Sequence, residues 1–320
     1  MASGLQQTDR NSAAALDCAW RKLPAQYRMP KQTPTLAEAQ AYCRELAESH
    51  YENFHVATWF LPKPLRPHFQ SVYAYCRISD DLGDEVGDTQ QSLALLNFWN
   101  DELDACYQGV TRHPVFVALA ETIRVCNIPK TPFADLLVAF RQDQTVMRYR
   151  TMQDVFGYCR NSANPVGHLV LYVCGYREPD LFTLSDFTCT ALQLANFWQD
   201  VREDYLRHRI YLPLEDMERF GVTEEQIRDR RFSPEFRNLM EHEVTFAQSL
   251  FEAGAPLLHR VDKEIAVDIA LFSRGGQEIL RAIRKQNYDV LRSRPVISKP
   301  RKAALLLRAF LARLTARQAA

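Results

Sequence analysis

Four oxygen-bearing side chains recur at helical spacing in one stretch of the second half of the chain. At 3.6 residues per turn, positions i, i+3, i+7 and i+11 fall on one stripe, and they hold Gln193, Asn196, Asp200 and Asp204. Aspartates four residues apart repel each other by about a few tenths of a kcal/mol. The apolar residues around this stripe predict that the helix is largely buried. A cation is therefore expected here. Such oxygen ligands suit Mg²⁺, which usually keeps waters and bridges to substrate phosphates.

A second polar stripe is predicted on the helix that ends near residue 85. Polar residues recur there at spacings of three or four: Tyr73, Arg77, Asp80 or Asp81, and Asp84. Either stripe alone is equally well explained as a solvated salt-bridge face. Two such stripes favour clusters that face each other across a helical bundle and hold Mg²⁺ and a diphosphate, with Arg77 contacting phosphate oxygens. The metals would allow an allylic or cyclopropylcarbinyl C–O bond to ionise.

The elements that must position these side chains are predicted to be helices. The 320 residues include only 11 glycines and almost no alternating β-branched runs. We therefore expect an all-α fold, a single-domain helical bundle with a central cavity over 35–314, after a disordered lead at 1–34 and before a tail at 315–320. Predicted helices are 35–51, 68–84, 92–108, 114–126, 133–145, 152–176 with a kink or end at Pro165, 234–258, 263–273 and 277–292.

The composition restricts the partners and the compartment. Lys+Arg and Asp+Glu both total 39, so the global charge indicates no nucleic-acid partner. The eight cysteines form no C-x-x-C pair and no signal peptide is recognisable, which favours a reducing, cytoplasmic compartment. The longest apolar run is far shorter than the roughly 20 residues of a membrane span. A soluble protein, or one peripheral to a membrane, is expected.

Several motifs in a fixed order resemble the squalene/phytoene synthase family of prenyl-diphosphate condensing enzymes. Two of them are the acidic stripes, at 73–84 and 193–204, the second of which leads to Arg-Ile-Tyr-Leu-Pro at 209–213. The others are Asp143 with 148–151, the Y-C-x-x-x-A-x-x-V-G element at 158–167, and Asn-Tyr-Asp-Val-Leu-x-x-Arg at 287–294. The resemblance covers about residues 45–305 and implies a bundle of the isoprenoid synthase type.

The resemblance also implies a role for individual residues. The Mg²⁺ ligands would be Asp80, Asp84, Asn196 and Asp200, with Asp81 and Asp204 in direct or indirect contact with the metal. Contacts to the substrate diphosphate or its neighbourhood would come from His50, Tyr73, Arg77, Gln193, Arg294 and Lys302. Tyr158 and Tyr211 would lie near the reacting carbons.

Three departures from the commoner family pattern resemble its hopanoid-cluster branch, known as HpnC. Asn164 and Pro165 lie where a glycine is usual, Gln199 replaces a frequent arginine and thereby removes a phosphate contact, and Gly275-Gly276 replaces a bulkier segment. Enzymes of that branch are hydroxysqualene synthases, carbon–oxygen lyases that convert presqualene diphosphate and water to hydroxysqualene and diphosphate. The resemblance thus implies Mg²⁺ as cofactor and no NADPH, since water and not hydride would capture the final carbocation.

The same residues have structural interpretations. Asn164 either orients the attacking water or satisfies the carbonyl that Pro165 leaves free, and the paired glycines either make room for water or allow close helix packing. A sister activity would condense prenyl diphosphates head to head. It would make presqualene diphosphate from two farnesyl diphosphates, as a farnesyl-diphosphate farnesyltransferase, or condense fully to squalene or phytoene. From another class, the chain would be a non-enzymatic helical scaffold with structural acidic stripes.

The C-terminal segment 302–314 is predicted to be an amphipathic helix. Its leucines and arginines fall partly on different sides, which suits a helix docked on the bundle or one lying on a membrane surface. Docking is the simpler interpretation. Other enzymes of the squalene and hopanoid pathway are further candidate partners.

Overall fold

Helices make up the regular structure of the described part of the chain. The computed structural model describes residues 16, 18–49 and 62–318, with side chains up to 312. Within these ranges, β-pairing is limited to an isolated bridge between Arg148 and Ile210. The predicted all-α fold is confirmed. In chain order the helices are α1 (Leu36–Ser49), α2 (Arg66–Asp84), α3 (Thr89–Tyr107), α4 (Pro114–Cys126), α5 (Thr131–Gln142), α6 (Met152–Ser162), α7 (Asn164–Val173), α8 (Pro179–Gln199), α9 (Val201–Leu206), α10 (Leu214–Phe220), α11 (Glu224–Arg228), α12 (Pro234–Gly254), α13 (Lys263–Lys285) and α14 (Lys299–Gln318).

The chain forms two compact units, and the first has α2 at its centre. This unit holds the described residues up to 145 together with 172–175. Helix α2 packs against α1, α3, α4 and α5. On its buried face, the Tyr75 hydroxyl donates to the Phe133 carbonyl at 2.9 Å, and the Tyr75 ring packs edge-on against Phe116. This satisfied aromatic core fixes which face of α2 is buried.

Part of the segment predicted to be a disordered lead is packed into the first unit. Trp20 and Leu23 are buried, and Tyr27, within a 3₁₀ turn at Ala25–Tyr27, is fully buried. The prediction of disorder is therefore wrong for 18–34, because apolar residues within this polar segment bury enough surface to order it. Residues 1–15 and 17 lie outside the described residues.

The second unit is built around α8. It contains residues 146–171 and 176–320, and α8 packs against α6, α12 and α13. Trp198 on α8 is fully buried, and Leu171, Leu181 and Leu257 form a further apolar cluster. As predicted, the helical rod containing Pro165 is interrupted: α6 ends at Ser162 and α7 begins at Asn164. The segment 315–320 was predicted to be a tail after the helical domain, but α14 continues into it as far as Gln318.

The two helices predicted at 263–273 and 277–292 are one continuous helix, α13. A Cβ at Gly276 would lie 2.5 Å from the Phe251 ring and 2.7 Å from Leu192, so this glycine permits close approach of neighbouring helices. A Cβ at Gly275 would meet nothing within 4 Å. Tertiary packing thus outweighs the low helix propensity of the glycine pair, and the packing interpretation holds for Gly276.

One buried carboxyl predicts an unusual pH dependence of stability. Glu243 on α12 is fully buried beside Asp216, and within the described residues neither of its oxygens has a hydrogen-bond donor. Burial, followed by repulsion from Asp216, raises the pKa of Glu243 to about 9. Between the unfolded pKa and this value the folded state keeps a proton that the unfolded state releases. The free energy of unfolding should therefore fall as the pH rises.

Replacing this carboxyl with an amide should remove that pH dependence. We compare the free energy of unfolding of Glu243→Gln with that of the natural chain at pH 5 and at pH 8.5. Between these two pH values, we expect the difference to shift in favour of the variant by at least about 1 kcal/mol. Urea unfolding at the two pH values measures this, with Glu252→Gln on the exposed side of the same helix as the control. Parallel pH profiles for the natural chain and Glu243→Gln would contradict the expectation.

Candidate active site

The first acidic cluster lies at the C-terminal end of α2. Asp81 is only 4% exposed, accepts from the Tyr27 hydroxyl at 2.6 Å, and is held by two nitrogens of the Arg77 guanidinium. Asp80 lies 3.6 Å from the same guanidinium and is partly exposed, and Asp84 is exposed. Arg77 and Tyr27 thus neutralise and fix Asp81, whereas Asp80 and Asp84 present oxygens at the surface of the unit.

The electrostatics of this helix end favour a cation. The negative end of the α2 dipole coincides with three aspartates, and no basic residue lies in the last turn. Loss of hydration, followed by repulsion from Asp84, raises the pKa of Asp80 to about 7, and Arg77 offsets only part of this effect. The side chain of Asp80 is nevertheless 46% exposed, so a ligand can reach it.

The second cluster lies at the junction of α8 and α9. The predicted uninterrupted helix is broken at Asp200, where the backbone leaves helical geometry at ψ 16°, although its N–H still bonds to the Asn196 carbonyl at 2.9 Å. Asn196 is exposed, and Gln193 and Asp204 are partly exposed. Burial, followed by repulsion from Asp200, raises the pKa of Asp204 to about 7. Gln193, Asn196, Asp200 and Asp204 thus remain neighbours despite the break.

Asp200 is paired with an arginine that is distant in sequence. Two nitrogens of Arg294 donate to the Asp200 carboxylate, one of them at 3.0 Å, and the same guanidinium donates to the Gln199 side chain at 3.2 Å. Gln199 is 4% exposed, and its amide donates to the Pro295 carbonyl. Gln199 therefore holds Arg294 against Asp200, a role that the sequence interpretation, a lost phosphate contact, did not include.

We expect the Gln199 amide to strengthen the binding of diphosphate, because it orients Arg294. Replacing it in Gln199→Met removes the acceptor for the guanidinium and leaves the Pro295 carbonyl without its donor, so Arg294 loses its orientation. We expect the Kd for inorganic diphosphate in the presence of Mg²⁺ to rise about tenfold by calorimetry. Gln248→Met, at a partly exposed position on α12, is the control. Equal affinities in both variants would show that Gln199 does not position Arg294.

An aromatic cluster adjoins the second acidic cluster. Tyr211 stacks on Phe197 with ring centroids 3.7 Å apart and on Tyr149 at 5.6 Å, and Tyr158 contacts all three rings at 5.7–5.9 Å. The four residues are buried. Backbone hydrogen bonds join 147–149 to 210–214 and so bring Tyr149 beside Tyr211. Aromatic faces next to carboxylate and amide oxygens suit stabilisation of a carbocation.

The other predicted site residues have different surroundings. Asn164 is buried in the second unit, and its side-chain oxygen accepts from the Thr190 hydroxyl at 3.0 Å. Lys302 is exposed on α14, where its neighbour Arg301 pairs with Glu278. Tyr73 is partly buried on α2 in the first unit. His50 lies outside the described residues, and the roles of all these side chains stay predictions.

Three contributing residues were not assigned roles from the sequence. Tyr27 was placed in the supposed lead, and its bond to Asp81 joins residues 54 positions apart, which no periodicity reveals. Tyr149 and Phe197 lie inside the recognised motifs. Their aromatic character beside Tyr158 and Asp200 was the available signal, because aromatic residues within a charged motif are candidates for binding a cation.

The donor set fits Mg²⁺. The first cluster offers carboxylate oxygens and the second offers carboxylate and amide oxygens, ligands that suit this ion. The raised pKa values of Asp80 and Asp204 mark charge that a cation would relieve. Among the described residues, no three His, Cys, Asp or Glu side chains converge on one metal position. Each cluster belongs to its own unit, and their placement opposite each other stays a prediction.

The helical fold and these motifs define the class of protein. Residues 47–301 match the family model described as squalene/phytoene synthase. The chain belongs to the squalene/phytoene synthase family, as the resemblance predicted. Members of this family are enzymes that act on prenyl diphosphates and use a divalent metal.

Particular members of the family are similar over most of their length. The solved squalene synthase HpnC from Alicyclobacillus acidocaldarius is 44% identical with a TM-score of 0.76, covering 84% of this chain and 98% of that one. A dehydrosqualene synthase solved with a ligand is 28% identical with a TM-score of 0.78, covering 86% and 96%. The hydroxysqualene synthase of Zymomonas mobilis is 31% identical over 242 residues, 74% of this chain and 80% of that protein. The 15-cis-phytoene synthase of Synechocystis sp. is 30% identical over 305 residues, 89% and 90%.

Proposed function

We propose that the protein is a Mg²⁺-dependent hydroxysqualene synthase, which converts presqualene diphosphate and water to hydroxysqualene and diphosphate. The observation that carries the proposal is the aromatic cluster of Tyr149, Tyr158, Phe197 and Tyr211 beside the oxygens of Asn196 and Asp200. Such a pairing can bind a diphosphate–metal group at one side and a carbocation at the other. Similarity to the hydroxysqualene synthase of Zymomonas mobilis supports this product.

The acidic and basic side chains would bind the leaving group. Mg²⁺, when bound, supplies charge that stabilises the departing diphosphate. We assign Asp80, Asp84, Asn196 and Asp200 as its ligands, with Asp204 supporting Asp200 and Asp81 fixing Arg77. Arg294 donates to the Asp200 carboxylate in the structure. It would release an Asp200 oxygen for the metal and turn its own N–H groups to the diphosphate.

The aromatic residues and Asn164 would govern the fate of the carbocation. As the C–O bond breaks, diphosphate leaves with the electron pair, and the faces of Tyr158 and Tyr211 stabilise the positive charge. Water then forms the new C–O bond and loses a proton. The Asn164 oxygen accepts from Thr190, which leaves its NH₂ group as the part able to orient that water.

The second candidate is head-to-head condensation of two prenyl diphosphates to presqualene diphosphate, squalene or phytoene. The observations in its favour are the 44% identity to a solved squalene synthase over 84% of this chain and the 30% identity to a phytoene synthase over 89%. Condensation needs two diphosphates to be bound at once, whereas water capture needs one. Product identity therefore separates the two candidates.

The test is a mass-spectrometric assay of the purified protein with Mg²⁺, given either presqualene diphosphate or farnesyl diphosphate, each with and without NADPH. We expect hydroxysqualene from presqualene diphosphate without NADPH. Squalene that forms only when NADPH is added would overturn the assignment. Failure to bind any prenyl diphosphate with Mg²⁺ by calorimetry would favour a scaffold.

We place this activity in the cytoplasm, at or near a membrane surface, because the substrate and product are long isoprenoids. None of the described helices combines the length and apolarity needed to cross a bilayer. Contact with lipid, and with other enzymes of the squalene and hopanoid pathway, would therefore involve surfaces of the folded chain.

A further inference from the structure

Helix α14 is docked along one face and leaves a second apolar face in solvent. Leu305 and Ala309 are buried, and Arg301 bonds to Glu278 of α13 at 2.7 and 2.8 Å. At about 100° per residue, Leu307 lies about 200° from Leu305, on the side away from the bundle. Leu307 is 58% exposed and Phe310 51%. Docking and surface binding, treated as alternatives from the sequence, therefore use different faces of this helix.

The exposed apolar face is concentrated. Leu306 and Leu311 also lie at the surface, so four large apolar side chains occupy neighbouring positions within two turns. Isolated exposed apolar residues are ordinary, but a contiguous group of them marks an interaction surface. We call Leu306, Leu307, Phe310 and Leu311 the apolar face of α14.

The charges of α14 indicate which partner suits this face. Residues 299–320 contain no aspartate or glutamate and six basic residues, at 299, 301, 302, 308, 313 and 317. Lys299, Lys302 and Arg308 are exposed, and Lys302 and Arg308 lie on opposite sides of the apolar face by helical rotation. Cations that border an apolar face match an anionic lipid surface, where acyl chains meet phosphate headgroups.

We infer that the apolar face of α14 inserts into the interface of an anionic membrane, with Lys302 and Arg308 contacting lipid phosphates. A second copy of the chain is a poorer occupant, because pairing two such faces would bring two sets of cations together. The helix would lie in the membrane plane, since its opposite face is already occupied by α13. This adds a defined lipid surface to the proposed function, and its test needs no substrate.

The test is co-sedimentation of the full chain with vesicles of phosphatidylcholine alone or with about one third phosphatidylglycerol, at low and high salt. We expect binding to the anionic vesicles only, lost at high salt. The double variant Leu307→Ser/Phe310→Ser should reduce binding at least fivefold, and Lys302→Glu/Arg308→Glu about as much. The matched control is Val110→Ser/Val125→Ser, which changes side chains that are 55% and 51% exposed in the first unit.

Two outcomes would overturn the inference. Equal vesicle binding by the natural chain and Leu307→Ser/Phe310→Ser would show that the apolar face does not insert. A concentration-dependent dimer in analytical ultracentrifugation, abolished by that double variant, would assign the face to a second copy. Circular dichroism on every variant shows whether the helices remain folded. Since vesicle binding is measured without prenyl diphosphate, failure here leaves the proposed reaction standing, and failure of the reaction leaves this inference standing.

Discussion

Asp200→Ala is expected to lower turnover of the prenyl diphosphate by at least about 100-fold, equivalent to about 2.7 kcal/mol of transition-state stabilisation. Asp200 presents its carboxylate at the α8–α9 junction, beside Asn196 and the aromatic cluster. If it is a metal ligand, alanine removes an oxygen that methyl cannot replace. The fold should survive, because Arg294, the partner left behind, is 45% exposed and can be solvated.

The control for this variant is Asp180→Ala. Asp180 lies at the other end of the same helix and also pairs with an arginine, Arg260, at 2.7 Å, with 57% of its side chain exposed. Both variants therefore remove an arginine-paired carboxylate from α8, and only one removes a predicted metal ligand. Near-normal turnover by Asp200→Ala with saturating Mg²⁺, or an equal loss in Asp180→Ala, would refute the metal assignment.

Arg77→Ala is expected to cost about 3 kcal/mol of folding free energy, besides any loss of activity. The guanidinium holds the Asp81 carboxylate, whose side chain is 5% exposed, and Tyr27 alone would remain to satisfy it. Removing one partner leaves a buried carboxylate that must keep an uncompensated charge or take up a proton. The midpoint and slope of urea unfolding measure the effect.

The matched control is Arg124→Ala. Arg124 also pairs with a carboxylate on its own helix, Glu121, but at the surface, with 71% of its side chain exposed. Surface pairs of this kind are worth about 0–1 kcal/mol. If Arg77→Ala and Arg124→Ala cost the same, the Arg77–Asp81 pair does not stabilise the end of α2 as described.

Local spacing predicted much of the fold and of each cluster taken singly. The helix predicted at 114–126 has the bounds of α4, and the i, i+4 relation of Arg77 and Asp81 appears as an ion pair. These features depend on residues within one or two turns of each other. Periodicity captures such relations directly.

The remainder depends on contacts between distant segments. The Tyr27–Asp81 and Arg294–Asp200 bonds join residues 54 and 94 positions apart. Helix α13 continues through Gly275-Gly276, and Phe251 and Leu192 leave no room for a side chain at Gly276. The resemblance to a family pointed to Arg294, but the geometry that links it to Gln199 required the fold.

The origin of the product oxygen tests the central claim most directly. The natural protein is incubated with presqualene diphosphate and Mg²⁺ in H₂¹⁸O, without NADPH, and the product is analysed by mass spectrometry. Capture of the carbocation by solvent predicts hydroxysqualene that carries one ¹⁸O atom. Hydroxysqualene without the heavy isotope, or squalene that appears only when NADPH is supplied, would contradict a hydroxysqualene synthase.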